Sequence, residues 1–161
     1  MAVNVGDKVP DVEIHTMGEK GPEKVSTGDV LGKGKVVLFA VPGAFTPGCS
    51  KVHLPGYVQD AQKLVDKGVA TIACIAVNDA FVMQAWADAQ GVDGKILMLA
   101  DGNGKFTEAM GLVMDGSGFG LGSRSQRYAA VIEDGVFTQL AVEPKGGVDV
   151  SACSAILERL S

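Results

Sequence analysis

Apolar residues gather into three short continuous runs, Val36–Val41 (VVLFAV), Val69–Val77 (VATIACIAV) and Ile96–Ala100 (ILMLA). Runs this short, bounded by polar residues or glycine, predict strands buried on both faces. Between them the period lengthens to that of helices. One helix is predicted to start near Pro47 and to be interrupted at Pro55, which lacks an amide donor. Beyond the break Tyr57, Ala61, Leu64 and Val65 share a face, and Gly68 supplies a left-handed cap. Asp79 reads as the N-cap of the next helix, with Phe81, Val82, Ala85, Trp86 and Ala89 along one face and Gly91 at its end. Asp101–Gly104 (DGNG) predicts a turn, and a short helix runs from about Lys105 to Gly111. After a glycine-rich loop, Arg127–Glu133 and Val136–Val142 flank Asp134-Gly135, a hairpin signal because its tight turn needs positive φ. A last amphipathic helix carries Ile156, Leu157 and Leu160.

Strand, helix, strand, helix, strand, then a hairpin and a final helix predict an α/β domain of three layers. The order is that of a thioredoxin-like sandwich, a mixed central β-sheet flanked by helices. With 161 residues, the chain 1–161 is expected to form a single domain. The net charge of −5 and the lack of a basic stripe argue against nucleic acid and anionic membrane as partners. No apolar run approaches the ~18 residues of a membrane span. The start, MAVNVGDKVPDVEI, has no basic region followed by an apolar core, so a signal peptide is not expected. A reducing, cytoplasmic setting follows as the expectation, or an organelle if a presequence has been removed. Three cysteines cannot all pair internally, and in such a setting they are reactive or buried rather than bridged.

The segment VPGAFTPGCSKVHLPGY joins a buried strand to a helix and places Cys49 in the first helical turn. Thr46 is positioned to cap that turn and Pro47 to open it. Unpaired amides and the positive end of the helix dipole there favour a thiolate over a thiol. The competing reading of Cys49 is a small buried core residue, the usual state of a free cysteine. Helix-start position, a threonine hydroxyl and flanking prolines favour the nucleophile.

Pro42-Gly43-Ala44-Phe45-Thr46-Pro47-Gly48-Cys49 resembles the active-site signature of the peroxiredoxins, and its Ala-Phe-Thr-Pro form resembles the type II, or five-like, subgroup. His53-Leu54-Pro55-Gly56-Tyr57, Val77 to Met83 through Trp86, and Gly120 to Ser125 followed by Tyr128 are similar to that subgroup in the same order. The resemblance spans the chain from about Gly6 to the last helix. It implies a thiol-dependent peroxidase of antioxidant defence and redox homeostasis, acting on hydrogen peroxide and small alkyl hydroperoxides, with no metal, haem or flavin. Cys49 would attack the O–O bond and become a sulfenic acid. Thr46 would hydrogen-bond thiolate and peroxide, Pro42 would shield the sulfur, and the amides of Gly48 and Cys49 would add donors. The Leu-Gly-x-Arg pattern selects Arg124, over nearby Arg127, as the cation that holds the thiolate. The subgroup usually carries a polar β-branched residue where this chain has Gly48. It also usually forms homodimers through the face bearing the active-site loop.

Recycling is left open by the resemblance. Cys74, 25 residues after Cys49, matches a second cysteine of plant-type members but lies within an apolar strand run. Cys153 falls near the resolving cysteine of vertebrate members, in a poorly matching frame. If neither resolves, glutathione with glutaredoxin or thioredoxin must reduce Cys49. His53, four residues after Cys49, reads as a packing or hydrogen-bonding residue, since a metal site needs more ligands than the distant His15 can add. The glycines of GSGFGLG fail the spacing of a dinucleotide fingerprint and read as a loop that brings Arg124 to the pocket. A disulfide reductase is disfavoured, because the positions three from Cys49 are Thr46 and Val52. A redox-responsive binding or signalling protein, switched by Cys49 oxidation, remains the alternative.

Overall fold

The computed structural model describes residues 2–144 and 147–160. Its centre is a seven-stranded mixed sheet in the order β2-β1-β5-β4-β3-β8-β9. The apolar runs become β3 (Lys35–Ala40), β4 (Thr71–Ala76) and β5 (Leu97–Ala100), mutually parallel at the middle of the sheet. On one side β8 (Tyr128–Glu133) pairs antiparallel with β3 and β9 (Val136–Val142) closes the hairpin. The hairpin turns on Asp134 (φ 49°) and Gly135 (φ 85°), the positive pair that a tight turn of this type requires. On the other side β1 (Glu13–Gly18) and β2 (Gly21–Ser26) form an antiparallel hairpin that meets β5 through His15 and Ala100. That hairpin leaves little periodic signal, because β2 is polar and largely exposed.

Side chains alternate across the sheet and build two cores. Val37, Phe39, Cys74 and Val131 face α2 (Leu54–Asp66), α3 (Ala80–Gln90) and α5 (Cys153–Leu160). Val36, Leu38, Ile75 and Ile132 face the opposite layer, which includes Leu31 beside α1 (Thr27–Val30) and Phe106 and Met110 of α4 (Lys105–Met110). The chain thus has the thioredoxin-like sandwich expected of its element order. A separate ribbon of β6 (Val113–Asp115) and β7 (Ser123–Ser125) brackets the glycine-rich loop.

Three local expectations change. Val65 is half exposed, so the buried stripe of α2 is Leu54, Tyr57, Ala61 and Leu64. In α3 the stripe is Ala80, Met83, Trp86 and Ala87, while Phe81, Ala85 and Ala89 face outward. Asp79 does cap α3, its carboxylate accepting the Val82 amide at 2.8 Å, and Gly91 ends it at φ 65°. The break assigned to Pro55 is a π-helical turn at Cys49–His53 that leads into α2, with a second distortion at Asp60. No helix among the described residues is long and apolar enough to cross a membrane.

Buried Asp101, between β5 and α4, accepts the amides of Phe106 (3.0 Å) and Thr107 (2.8 Å) and the Thr107 hydroxyl (2.8 Å). Asp101→Ala leaves these donors without a partner and is expected to cost about 2–4 kcal/mol. Urea unfolding measures it, and a loss under about 1 kcal/mol would show that water replaces the carboxylate.

Candidate active site

The site forms where the parallel strands end. Beyond β3 the Val41 amide still reaches the Ile75 carbonyl (3.2 Å), and then the chain leaves the sheet as the loop 42–46. The side chain of Asn78, at the end of β4, accepts the Ala44 amide at 2.9 Å and ties this loop to the neighbouring connection. Phe45 sits at φ 65°, a conformation unusual for an aromatic residue, so the loop is held tightly reversed. The Thr46 hydroxyl donates to the Gly43 carbonyl at 2.7 Å, and its own carbonyl accepts Ser50 N–H at 2.9 Å. Thr46 therefore opens the helix through its carbonyl, while its hydroxyl closes the loop instead of capping an amide as the sequence suggested.

Cys49 begins the π-helical turn and is fully buried. The Leu54 amide bonds back to the Cys49 carbonyl, a step of five residues that widens the turn ahead of Pro55. Trp86 donates its indole N–H to the Ser50 hydroxyl at 2.9 Å and fixes the turn against α3. Beneath it Phe39 stacks on Tyr57, with ring centroids 3.9 Å apart and planes 4° from parallel, and His53 tilts against both rings.

The cation on the sulfur is Arg127. Its Nη2 donates to Cys49 Sγ at 3.1 Å and its Nη1 lies 2.8 Å from His53 Nδ1. Arg124 instead donates Nε to the Leu121 carbonyl (2.9 Å) and Nη1 to the Pro42 carbonyl (3.3 Å), bracing the loop from outside. The choice of Arg124 over Arg127 for the sulfur contact is thus corrected by the geometry. Pairing explains it: Tyr128 lies opposite Ala40, so the residue before it meets the chain just as the catalytic loop begins. Gly48 fits the same arrangement, because a Cβ there would stand 3.1 Å from Arg127 Nη2. A shallow cavity of about 350 Å³ opens beside Arg127, lined by Pro42, Val113, Met114 and Gln126. A larger one, about 870 Å³, lies at the far ends of β4 and β5, around Thr71 and Leu97, away from this chemistry.

The other two thiols are buried in the same core as Cys49. Burial, reinforced by the charge of Cys49, pushes the Cys74 thiol far above its ordinary value. Burial, with Asp60 nearby, pushes Cys153 up to about 12. Both are protonated at neutral pH and poor nucleophiles where they sit. His53 is driven the other way: burial and then the Arg127 charge lower its pKa from 6.5 to about 3. A buried thiol at a helix start, facing a guanidinium, is an arrangement for nucleophilic sulfur chemistry.

Comparison with known proteins agrees. The Redoxin family model matches residues 4–157. The chain is 44% identical to peroxiredoxin-2E, chloroplastic, of Arabidopsis thaliana over 163 residues, covering 99% of this chain and 70% of that protein. It is 42% identical to peroxiredoxin-2B of the same plant, covering 98% of each. The chain belongs to the peroxiredoxins. Among solved structures, reduced Prx3 of Vibrio vulnificus in complex with H2O2 is 48% identical, with a TM-score of 0.94 and 99% of each chain covered. This peroxiredoxin is accordingly a thiol-dependent peroxidase, an oxidoreductase.

The state of His53 has a consequence for stability. The folded protein holds it neutral down to about pH 3, while the unfolded chain takes up a proton near pH 6.5. The unfolded state binds more protons between these values, so stability is full above about 6.5 and is lost as pH falls towards about 3. The expected loss from this residue reaches about 1.4 kcal/mol per pH unit in that window. Chemical denaturation of the wild type and His53→Asn from pH 7 to 4 measures it. Parallel pH dependences would show that His53 contributes nothing.

Proposed function

We propose that this peroxiredoxin reduces hydrogen peroxide and small alkyl hydroperoxides through Cys49, with Arg127 as its electrostatic partner. The 3.1 Å contact between Arg127 Nη2 and the buried Cys49 sulfur carries the reading. In a water-poor site a fixed guanidinium favours the thiolate and then the negative charge that develops on the peroxide oxygens. The thiolate attacks one peroxide oxygen and the O–O bond breaks. The departing oxygen takes up a proton and leaves as water or alcohol, and Cys49 becomes a sulfenic acid. Because the Thr46 hydroxyl donates its proton to Gly43, its lone pairs are left to accept the peroxide O–H. Pro42 shields the sulfur, the Gly48 and Cys49 amides add donors, and Arg124 keeps the loop against them.

For the reductant, an external thiol is favoured over either internal cysteine. Cys74 is locked between β3 and β5, and both it and Cys153 are buried protonated thiols. Glutathione with glutaredoxin, or thioredoxin, would attack the sulfenic sulfur, release water and form a mixed disulfide that a second thiol reduces. A homodimer is also proposed: Phe119, Phe81 and Phe45 are 90%, 65% and 53% exposed, more aromatic surface than a solitary chain gains from leaving in water. A reducing, cytoplasm-like compartment suits a peroxidase that depends on such thiols.

Stopped-flow reaction with one equivalent of hydrogen peroxide tests the site. Cys49→Ser is expected to abolish fast reduction, Arg127→Ala to slow it by about 100-fold or more, and Arg124→Ala by less than about 10-fold. A wild-type rate no faster than free cysteine would sink the peroxidase assignment, and reversed arginine effects would return the role to Arg124. Mass spectrometry after one turnover without added thiol tests the recycling. Persistent Cys49 sulfenic acid is expected, and a Cys49–Cys74 or Cys49–Cys153 bridge would overturn the external route.

A further inference from the structure

We propose that His53, as a neutral imidazole protonated on Nε2, is the positioning residue that aims Arg127 at the Cys49 sulfur and ties that aim to the segment ahead of α5. The inference rests on the role given to Arg127 above. Arg127 Nη1 lies 2.8 Å from His53 Nδ1, and His53 Nε2 lies 3.0 Å from the Ser151 carbonyl oxygen. A guanidinium can only donate and a backbone carbonyl can only accept. Both contacts are hydrogen bonds in one state alone, with Nδ1 bare and the proton on Nε2. An imidazolium would set an N–H against the guanidinium and lose the bond. The other tautomer would break both.

The arrangement is built to hold that state. His53 is 1% exposed and rests against Phe39 and Tyr57. The charged groups that act on it are Arg127, which opposes protonation, and Glu143, which favours it. Glu143 is itself committed to the Ser151 amide (2.8 Å) and hydroxyl, and the Tyr57 hydroxyl donates to the same Ser151 carbonyl at 2.8 Å. The carbonyl that fixes the imidazole thus accepts from Tyr57 as well, while Glu143 holds the same residue by its amide and hydroxyl. Arg127 in turn spends one nitrogen of its fork on His53 and the other on sulfur. With the fork anchored at one prong, the second has little freedom to leave the thiolate.

Paired substitutions test this. Asn places an acceptor where Nδ1 stands, and Gln places a donor where Nε2 stands. His53→Gln is expected to lose about 30-fold or more in the rate with hydrogen peroxide and to move the pH profile of Cys49 alkylation upward. His53→Asn is expected to recover most of that rate and the wild-type profile, although it no longer reaches Ser151. A role confined to packing would lower the melting temperature of both variants and leave the pH profiles alike, which would overturn the proposal.

In an Arg127→Lys background, where the fork is gone, His53→Gln is expected to cause no further loss. An equal loss in both backgrounds would show that His53 acts without Arg127. If Arg127→Lys is slow and His53→Gln is as fast as the wild type, this inference alone fails. If Arg127→Lys matches the wild type, the role of Arg127 fails with it. Nitrogen NMR of the unmodified protein gives a check that needs no variant to fold. His53 is expected to show a protonated Nε2 and a bare Nδ1 at pH 7, and a proton on Nδ1 would overturn the assignment.

Discussion

Holding a guanidinium against a fully buried sulfur is the constraint on which the other features rest. An unpaired buried thiolate is costly, and a guanidinium alongside offsets that cost only if it too is held in place. The sheet supplies the placement. Arg127 immediately precedes β8, and the antiparallel register of β8 on β3 sets it against the start of the catalytic loop. A slip of one residue in that register would turn Arg127 to the other face and put its neighbour at the sulfur. The hairpin turn at Asp134-Gly135 and the apolar runs of β3 and β8 thus serve the chemistry from a distance, by fixing where one side chain ends.

The position of Cys49 at a helix start and the sheet were legible in the sequence because their signals are local. Cys49 lies in a strand-to-helix joint bounded by prolines, and the central strands are uninterrupted apolar runs. The arginine was not, because Arg124 and Arg127 stand three residues apart and local spacing cannot rank them. Their separation comes from a pairing across about ninety residues of chain, between Ala40 and Tyr128. His53 was legible only as a packing or hydrogen-bonding residue, since its partners, Arg127 and Ser151, arrive from just ahead of β8 and from the segment before α5. The stripe of α3 was misphased because Phe81 draws attention as a large apolar residue, yet it faces outward while Met83 and Trp86 enter the core. The β1–β2 hairpin was hidden by its polarity.

The three cysteines show how little residue type says about reactivity. All are buried. Cys74 and Cys153 share the apolar core with no guanidinium bonded to either, and burial outweighs the opposing charges of Arg127 on Cys74 and Lys63 on Cys153. Cys49 has a helix start on one side and Arg127 on the other, so the same burial intensifies its surroundings instead of silencing it. Environment, not residue type, separates the three thiols.

The bond between Trp86 and Ser50 gives the molecule an internal optical reporter. Trp86 is the single tryptophan, its indole is fully buried, and its one polar atom is tied to Ser50, next to Cys49. Indole emission responds to the polarity and hydrogen bonding of its surroundings. Any change in the sulfur that shifts the π-helical turn must strain or break that bond, and so alter the colour or yield of the fluorescence. The same contact that anchors the turn bearing Cys49 thus sets a label-free reporter one residue from its sulfur.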